Sequence, residues 1–270
     1  MTTSAALSPP APPGVGPLLR RWRDRRRLSQ MELALEADVS TRHLSFVETG
    51  RSQPSRDMVV RLAEHLDVPL RERNELLLAA GYAPAYPESG LDDDQLSAVR
   101  GAVQRLLKAH EPYPAVAVDR HWELLDGNAG VPLITAGAAA HLLEPPINAL
   151  RLSLHPEGMA PRIVNLAEWR AHLLGRLRRE VAATQDPQLV SLLAELSSYP
   201  GDGVGAVPEL PAPGEIVVPL RLTHEHGELA FMSTVTTFGT PLDITVSELS
   251  IEAFFPADDR TAAVLRATVG

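Results

Sequence analysis

One spacing constrains this chain more than any other: Gln30-x3-Ala34-x4-Val39-Ser40-x6-Val47-Glu48-Thr49-Gly50. Ser29 and Glu32 stand just ahead of it as a capping box, the hydroxyl taking the third backbone N–H while the carboxylate reaches back. Met31, Ala34 and Leu35 then read as a short buried stripe. Asp38 falls where a tight turn needs a residue that tolerates positive φ. Ser40 caps the next helix, Leu44 and Val47 face inward, and Gly50 suits the left-handed residue after a helix end. The pattern is two short helices joined by a tight turn, with small Ala34 where they cross.

The flanks extend this into an all-α domain of five helices over residues 17–81. Pro17 opens the first, as proline does in a first turn, and Leu18, Leu19 and Trp22 form its apolar face. Ser55 caps a fourth with Val59, Leu62, Ala63 and Leu66 at helical spacing, stopped by Pro69. Residues 71–80 form a fifth, closed by Gly81. Residues 1–16 are Ala/Pro-rich with no basic start followed by an apolar run, so they are expected to be a disordered lead-in rather than a signal peptide.

The polar residues of the motif fall on its outer side. Thr41, Arg42 and Ser45 lie near the start of the second helix, where a helix laid in the major groove meets base edges, and Ser40 caps that end. Arg42 is placed to bond guanine O6 and N7. Gln30 is expected to bridge phosphate and base, and Arg51 and Ser52, with their backbone amides, to hold phosphate. Over residues 18–80 this segment resembles the Xre/lambda-repressor-like helix-turn-helix family, with Asp38 where that family often has Gly. The resemblance implies binding of double-stranded operator DNA. The plainer reading of the same helices is a bundle with a protein-binding face.

Net charge is −9 over 270 residues, which by itself argues against nucleic acid. Its distribution does not. The 12 arginines and 10 acids of residues 1–80 leave +2, while the 13 basic and 24 acidic residues that follow leave −11. Arg20, Arg21, Arg23, Arg25, Arg26 and Arg27 form one run, a basic module on an acidic body.

Residues 82–90, with two prolines and a glycine, read as a linker. The second domain, residues 91–265, is expected to be α+β with an antiparallel sheet and helices packed beside it. A helix over 91–110 leads into a hairpin of residues 115–118 and 122–125 around Asp119-Arg120-His121. Helices over 166–184 and 187–197 follow, then a Pro/Gly loop over 199–215. Three strands close it: 216–223, 228–238 and 242–255, with tips at His224-Glu225-His226-Gly227 and Gly239-Thr240-Pro241. Ten of the 12 aromatic residues lie after position 80, which serves a core and equally an apolar pocket.

His110-Glu111-Pro112-Tyr113-Pro114-Ala115, Asp119-Arg120-x-Trp122, Asn148-x-Leu150-Arg151-Leu152 with His155-Pro156, and Thr236-Thr237-Phe238-Gly239-Thr240-Pro241 resemble the MmyB-like ligand-binding domain of bacterial regulators. That resemblance implies a PAS-like sensor holding a small apolar ligand such as a fatty acid. Under it, Trp122, Phe231 and Phe238 are candidate walls, and Arg151 or His155 a candidate carboxylate partner. One helix-turn-helix module reads only a half-site, so two-fold pairing is expected, as a cytoplasmic homodimer. The alternative is a second domain that clamps a protein partner.

No cysteine is present, so thiolate metal sites and disulfides are excluded. His224 and His226 sit at a hairpin tip, where alternation sends them to opposite faces, and read as a solvated turn. With no His-Glu-x-x-His, no Gly-x-Ser-x-Gly and no phosphate-cradling glycine loop, the chain reads as a non-enzyme without metal or cofactor. No stretch reaches the length of a membrane span.

Overall fold

The computed structural model describes residues 14–200 and 217–269. The first 13 residues of the expected lead-in, most of the 199–215 loop and the start of the strand expected at 216 lie outside them. The chain divides into two compact units, Met1–Glu88 with Pro241–Ser247, and Ser89–Thr240 with Glu248–Gly270.

The first unit carries α1 (Val15–Arg25), α2 (Gln30–Glu36), α3 (Thr41–Glu48), α4 (Arg56–His65) and α5 (Leu70–Ala79). Leu19, Leu33, Leu44, Leu62, Leu66 and Leu77 are fully buried at its centre. Helix α1 begins two residues before the expected Pro17, because Gly16 is part of the packing. A Cβ there would lie 2.3 Å from the Val47 carbonyl oxygen, so glycine lets α1 meet the end of α3. The stripe expected on α2 is corrected: Met31 and Leu35 are 69% and 83% exposed. Leu33, Ala34 and Ala37 form the inward face instead, and on a 100° rotation per residue that turns Met31 and Leu35 to the opposite side.

All five helices end the same way. A residue with positive φ follows each one: Arg27, Asp38, Gly50, Asp67 and Gly81. The next N–H reaches back five residues: Leu28 to Arg23, Val39 to Ala34, Arg51 to Phe46, Val68 to Ala63 and Tyr82 to Leu77. This closure satisfies carbonyls that the helix end leaves open. Part of the segment read as a linker is tied down. Asn74 Oδ1 accepts from the amides of Ala85 and Tyr86, and its Nδ2 donates to the Tyr86 carbonyl.

The second unit contains β1 (Ala115–Val118), β2 (Leu124–Gly127), β3 (Leu220–His224), β4 (Gly227–Thr237) and β5 (Ser250–Pro256). These pair antiparallel in the order β2-β1-β5-β4-β3. Helix α6 (Ser97–Ala109) covers one face, where Val103 and Leu107 meet Ala115, Ala117, Ile251 and Ala253. The other face packs on α7 (Val131–Thr135), α8 (Ala149–Leu154), α9 (Leu166–Thr184) and α10 (Pro187–Ser198).

The strand expected over 242–255 is corrected. Residues Ile244–Glu248 form a one-turn helix, α11, and the strand starts only at Ser250. Asp243 accepts from the amides of Thr245 and Val246, and this cap outweighs the β-preference of Ile-Thr-Val. A last helix, α12 (Asp259–Val269), runs beyond the expected end of the domain. Asp258 caps its first turn by accepting from Thr261 N–H.

Candidate DNA-binding surface and ligand cavity

Helix α3 is positioned by a polar lock beneath it. Arg23 of α1 donates from Nε and Nη2 to the two carboxylate oxygens of Glu48, at 2.7 and 2.9 Å. Gln30, first residue of α2, donates to Glu48 Oε2 at 2.7 Å. Arg23 also donates to the Leu28 carbonyl. Burial pushes the Glu48 carboxyl up, but its hydrogen bonds with Arg23 and Gln30 and the guanidinium charge hold it below its ordinary value. One carboxylate thus joins three helices.

Above this lock, Thr41 and Arg42 are exposed and Ser45 is half-buried, while Leu44 and Val47 are buried. Ser40 accepts from the His43 amide at 3.1 Å and so fixes the start of α3. The Arg42 and Arg51 guanidiniums both lie against the Phe46 ring, at 5.4 and 6.0 Å. Two expectations change. The Gln30 amide N–H is engaged by Glu48, and the amides of Arg51 and Ser52 both donate to the Phe46 carbonyl. Those backbone groups are spent on closing α3.

The arginine run is divided in the same way. Arg23 is buried in the lock, and Arg26 donates to the carbonyls of Leu66 and Asp67. Arg25 stacks on Trp22 at 4.8 Å. Arg20, Arg21 and Arg27 are exposed. The run is therefore partly scaffold and only partly surface field.

The second unit holds a partly open cavity of about 60 Å³ between the sheet and helices α7 to α9. Its walls are mainly apolar, among them Val116, Leu124, Ile134, Leu173 and Phe254, with Thr135, Ser153 and Glu252 as polar members; the Thr135 hydroxyl donates to the Val131 carbonyl. Ser153 Oγ accepts from Trp169 Nε1 at 3.0 Å. Glu252 is 8% exposed on the central strand. Burial pushes its carboxyl up, with Arg176 pulling back.

The five residues expected to hold a ligand lie elsewhere, and none lines this cavity. Phe231 is fully buried in the core, and Phe238 packs on the α6 side of the sheet. Arg151 forms two hydrogen bonds with Glu195, at 2.6 and 2.8 Å. Glu195 also accepts from Tyr199, whose own phenol is pushed up to about 12 by burial and by that carboxylate. His155 Nδ1 accepts from the Glu157 amide, and its ring meets Tyr199 edge-on at 5.1 Å. Alternation explains Phe231 and Phe238, because a seven-residue separation along one strand puts them on opposite faces.

Trp122 supports the wall instead of forming it. It has φ 67, uncommon for so large a side chain. Its Nε1 donates to Glu180 at 2.9 Å, and Arg176 lies 4.2 Å above its ring. Arg176 in turn bonds Glu252. Sequence reading missed Glu252, because a lone acid in an apolar strand gives no spacing signal. It also missed that His141 and Glu157 lie beside His155, the ligand-capable atoms of all three within 4.8 Å of one another. His141 comes from a separate segment, which the bond from Ala139 N–H to the Glu157 carbonyl holds against the other two.

Residues 15–76 match the helix-turn-helix domain family, and residues 99–267 match the MmyB-like transcription regulator ligand-binding domain. None of the curated proteins matches the sequence. Among solved structures, the clp gene regulator ClgR from Corynebacterium glutamicum is 23% identical, covering 36% of this chain and 90% of that one, with a TM-score of 0.22. An RNA-binding light-oxygen-voltage receptor is 14% identical, covering 93% of this chain and 63% of that one, with a TM-score of 0.27. With an exposed α3 seated on its lock and an α+β unit holding a mainly apolar cavity, the chain belongs to the MmyB-like transcription regulators, a helix-turn-helix joined to a ligand-binding domain.

Proposed function

We propose that this protein is a cytoplasmic, homodimeric regulator that reads a specific operator through α3 and changes its operator affinity when a small apolar molecule occupies the second unit. The observation that carries the DNA reading is the division of α3: Thr41 and Arg42 exposed at its capped start, Leu44 and Val47 buried beneath. Arg42 reads a base, while the side chains of Arg51, Ser52 and Ser45 position the backbone. One helix of eight residues reads a half-site, so two copies spaced about 34 Å or a multiple apart are required for a full operator.

The ligand changes operator affinity only through unequal binding to the DNA-competent and incompetent states. A 60 Å³ cavity holds a group of a few heavy atoms, against about 300–1,000 Å³ for a drug-sized site. A fatty acid therefore requires the helices to move apart, whereas a short-chain compound requires less. Met232 and Phe255, cross-strand partners on β4 and β5, are exposed. A second copy is the occupant this reading gives them, and a different protein is the alternative.

Selection of bound duplexes from a random pool, followed by native mass spectrometry of the protein alone, tests the reading. Recovery of a two-fold operator and a dimer mass supports it. An unselective pool overturns the DNA assignment, and a monomer that captures a different protein shifts the second unit to partner binding.

A further inference from the structure

We propose that the cavity selects a ligand whose head donates hydrogen bonds, an alcohol or amine on a short apolar stem, and that the Glu252 carboxylate receives it. The inference rests on the reading that the second unit binds a small molecule, and names its chemical class.

Glu252 occupies the middle of β5, the central strand, with Val116 and Val235 as its register neighbours. Alternation points it to the same side as Phe254, toward the helices and into the cavity wall. A carboxylate removed from water at that place costs several kcal/mol unless it is paired, where an aliphatic side chain would cost nothing. The pairing is incomplete. Oε1 accepts from Arg176 Nη1, and Oε2 has no hydrogen-bond partner among the described residues.

Arg176 is not among the residues that line the cavity. Its Nε lies 3.3 Å from Glu180 Oε1, and its guanidinium is stacked on Trp122. Glu180 is itself held by the Trp122 indole N–H. One guanidinium is thus shared between two carboxyl groups, and the trio is net negative wherever both acids are ionised. A ligand carboxylate would add a third acid beside it in a poorly hydrated space. A hydroxyl or ammonium instead supplies the proton that Oε2 lacks, and its stem meets Val116, Ile134, Leu173 and Phe254. Ser153, whose oxygen already accepts from Trp169, is left with its O–H to give to a hydroxyl oxygen.

The experiment is calorimetric titration of the full-length protein, at mildly alkaline pH, with 1-propanol, propylamine and propanoate. Propanol or propylamine is expected to bind at least about tenfold more tightly than propanoate, the scale of one charge-assisted hydrogen bond. In a Glu252→Gln variant the amide adds a donor, and the gap is expected to close by a similar factor. Propanoate binding as tightly as propanol to the unaltered protein overturns the donor-head assignment while leaving small-molecule sensing in place. An unchanged ranking in Glu252→Gln removes Glu252 as the receiver. Absence of binding by all three overturns both readings. Should the variant not fold, the ranking in the unaltered protein decides alone.

Discussion

The Arg23 guanidinium closes a two-pronged hydrogen bond on Glu48 with both side chains almost wholly buried, at 9% and 2% exposure. The pair joins the first helix of the DNA-binding unit to the end of the third. Removing one partner strands a charge in the interior. Glu48→Ala is expected to cost about 3–5 kcal/mol of unfolding free energy, whereas an apolar replacement of both residues costs far less. Urea denaturation of the two variants checks this.

The same pair gives an acid limit. The folded Glu48 carboxyl lies below its unfolded value near 4.5, so the unfolded state binds more protons as pH falls. The stabilisation is fully present above about pH 4.5 and is lost as pH drops through the folded value. Acid titration of the protein should show this loss, and Glu48→Gln should remove that component.

Arg42 and Arg51 share one aromatic ring but are assigned different tasks. Arg42→Ala should weaken operator binding by about 1–3 kcal/mol and relax preference at one base position. Arg51→Ala should weaken binding across all sequences and lower the salt slope by about one. Fluorescence anisotropy on operator and scrambled duplexes at several salt concentrations separates the two. Identical losses on both duplexes for Arg42→Ala would displace it from the base-reading role.

At Gly16 a methyl group meets the Val47 carbonyl at 2.3 Å, and the Glu48 carbonyl at 2.8 Å. Both are backbone atoms with no rotamer to yield. Gly16→Ala should cost about 1–3 kcal/mol through forced separation of α1 and α3, and should weaken operator binding by tilting α3. Thermal denaturation together with anisotropy measures both effects.

Asp38 holds φ at 51 in the turn before α3. Left-handed geometry costs most L-residues about 1–2 kcal/mol, and Asp less. Asp38→Gly should therefore leave the protein as stable or slightly more so, and Asp38→Val should destabilise it strongly. Melting temperatures of the two variants give the sign.

Local chemistry made much of this chain legible. The Ser29–Glu32 capping box, the Ser40 and Ser55 caps, and the positive φ at Asp38 and Gly50 are all present. Each rests on groups within a few residues of one another, so the amino-acid order alone specifies them. The helices at 166–184 and 187–198 were legible for the same reason, through periodicity and the proline at the start of the second.

Other features depended on groups far apart in the chain. Arg23 reads as one member of a basic run, and only the approach of Glu48, 25 residues on, turns it inward. Arg27 and Asp67 adopt left-handed geometry without glycine, because packing of the five helices holds those closures in place. The cavity shows the same division most plainly. Aromatic content announced an apolar interior, yet Trp122 braces Arg176, Arg151 pairs with Glu195, and the acid in the wall is Glu252. Propensity and capping are short-range energies that the sequence determines by itself. Which buried charges meet, and which atoms line an empty volume, was decided by tertiary structure, because those energies arise only when distant segments exclude water between them.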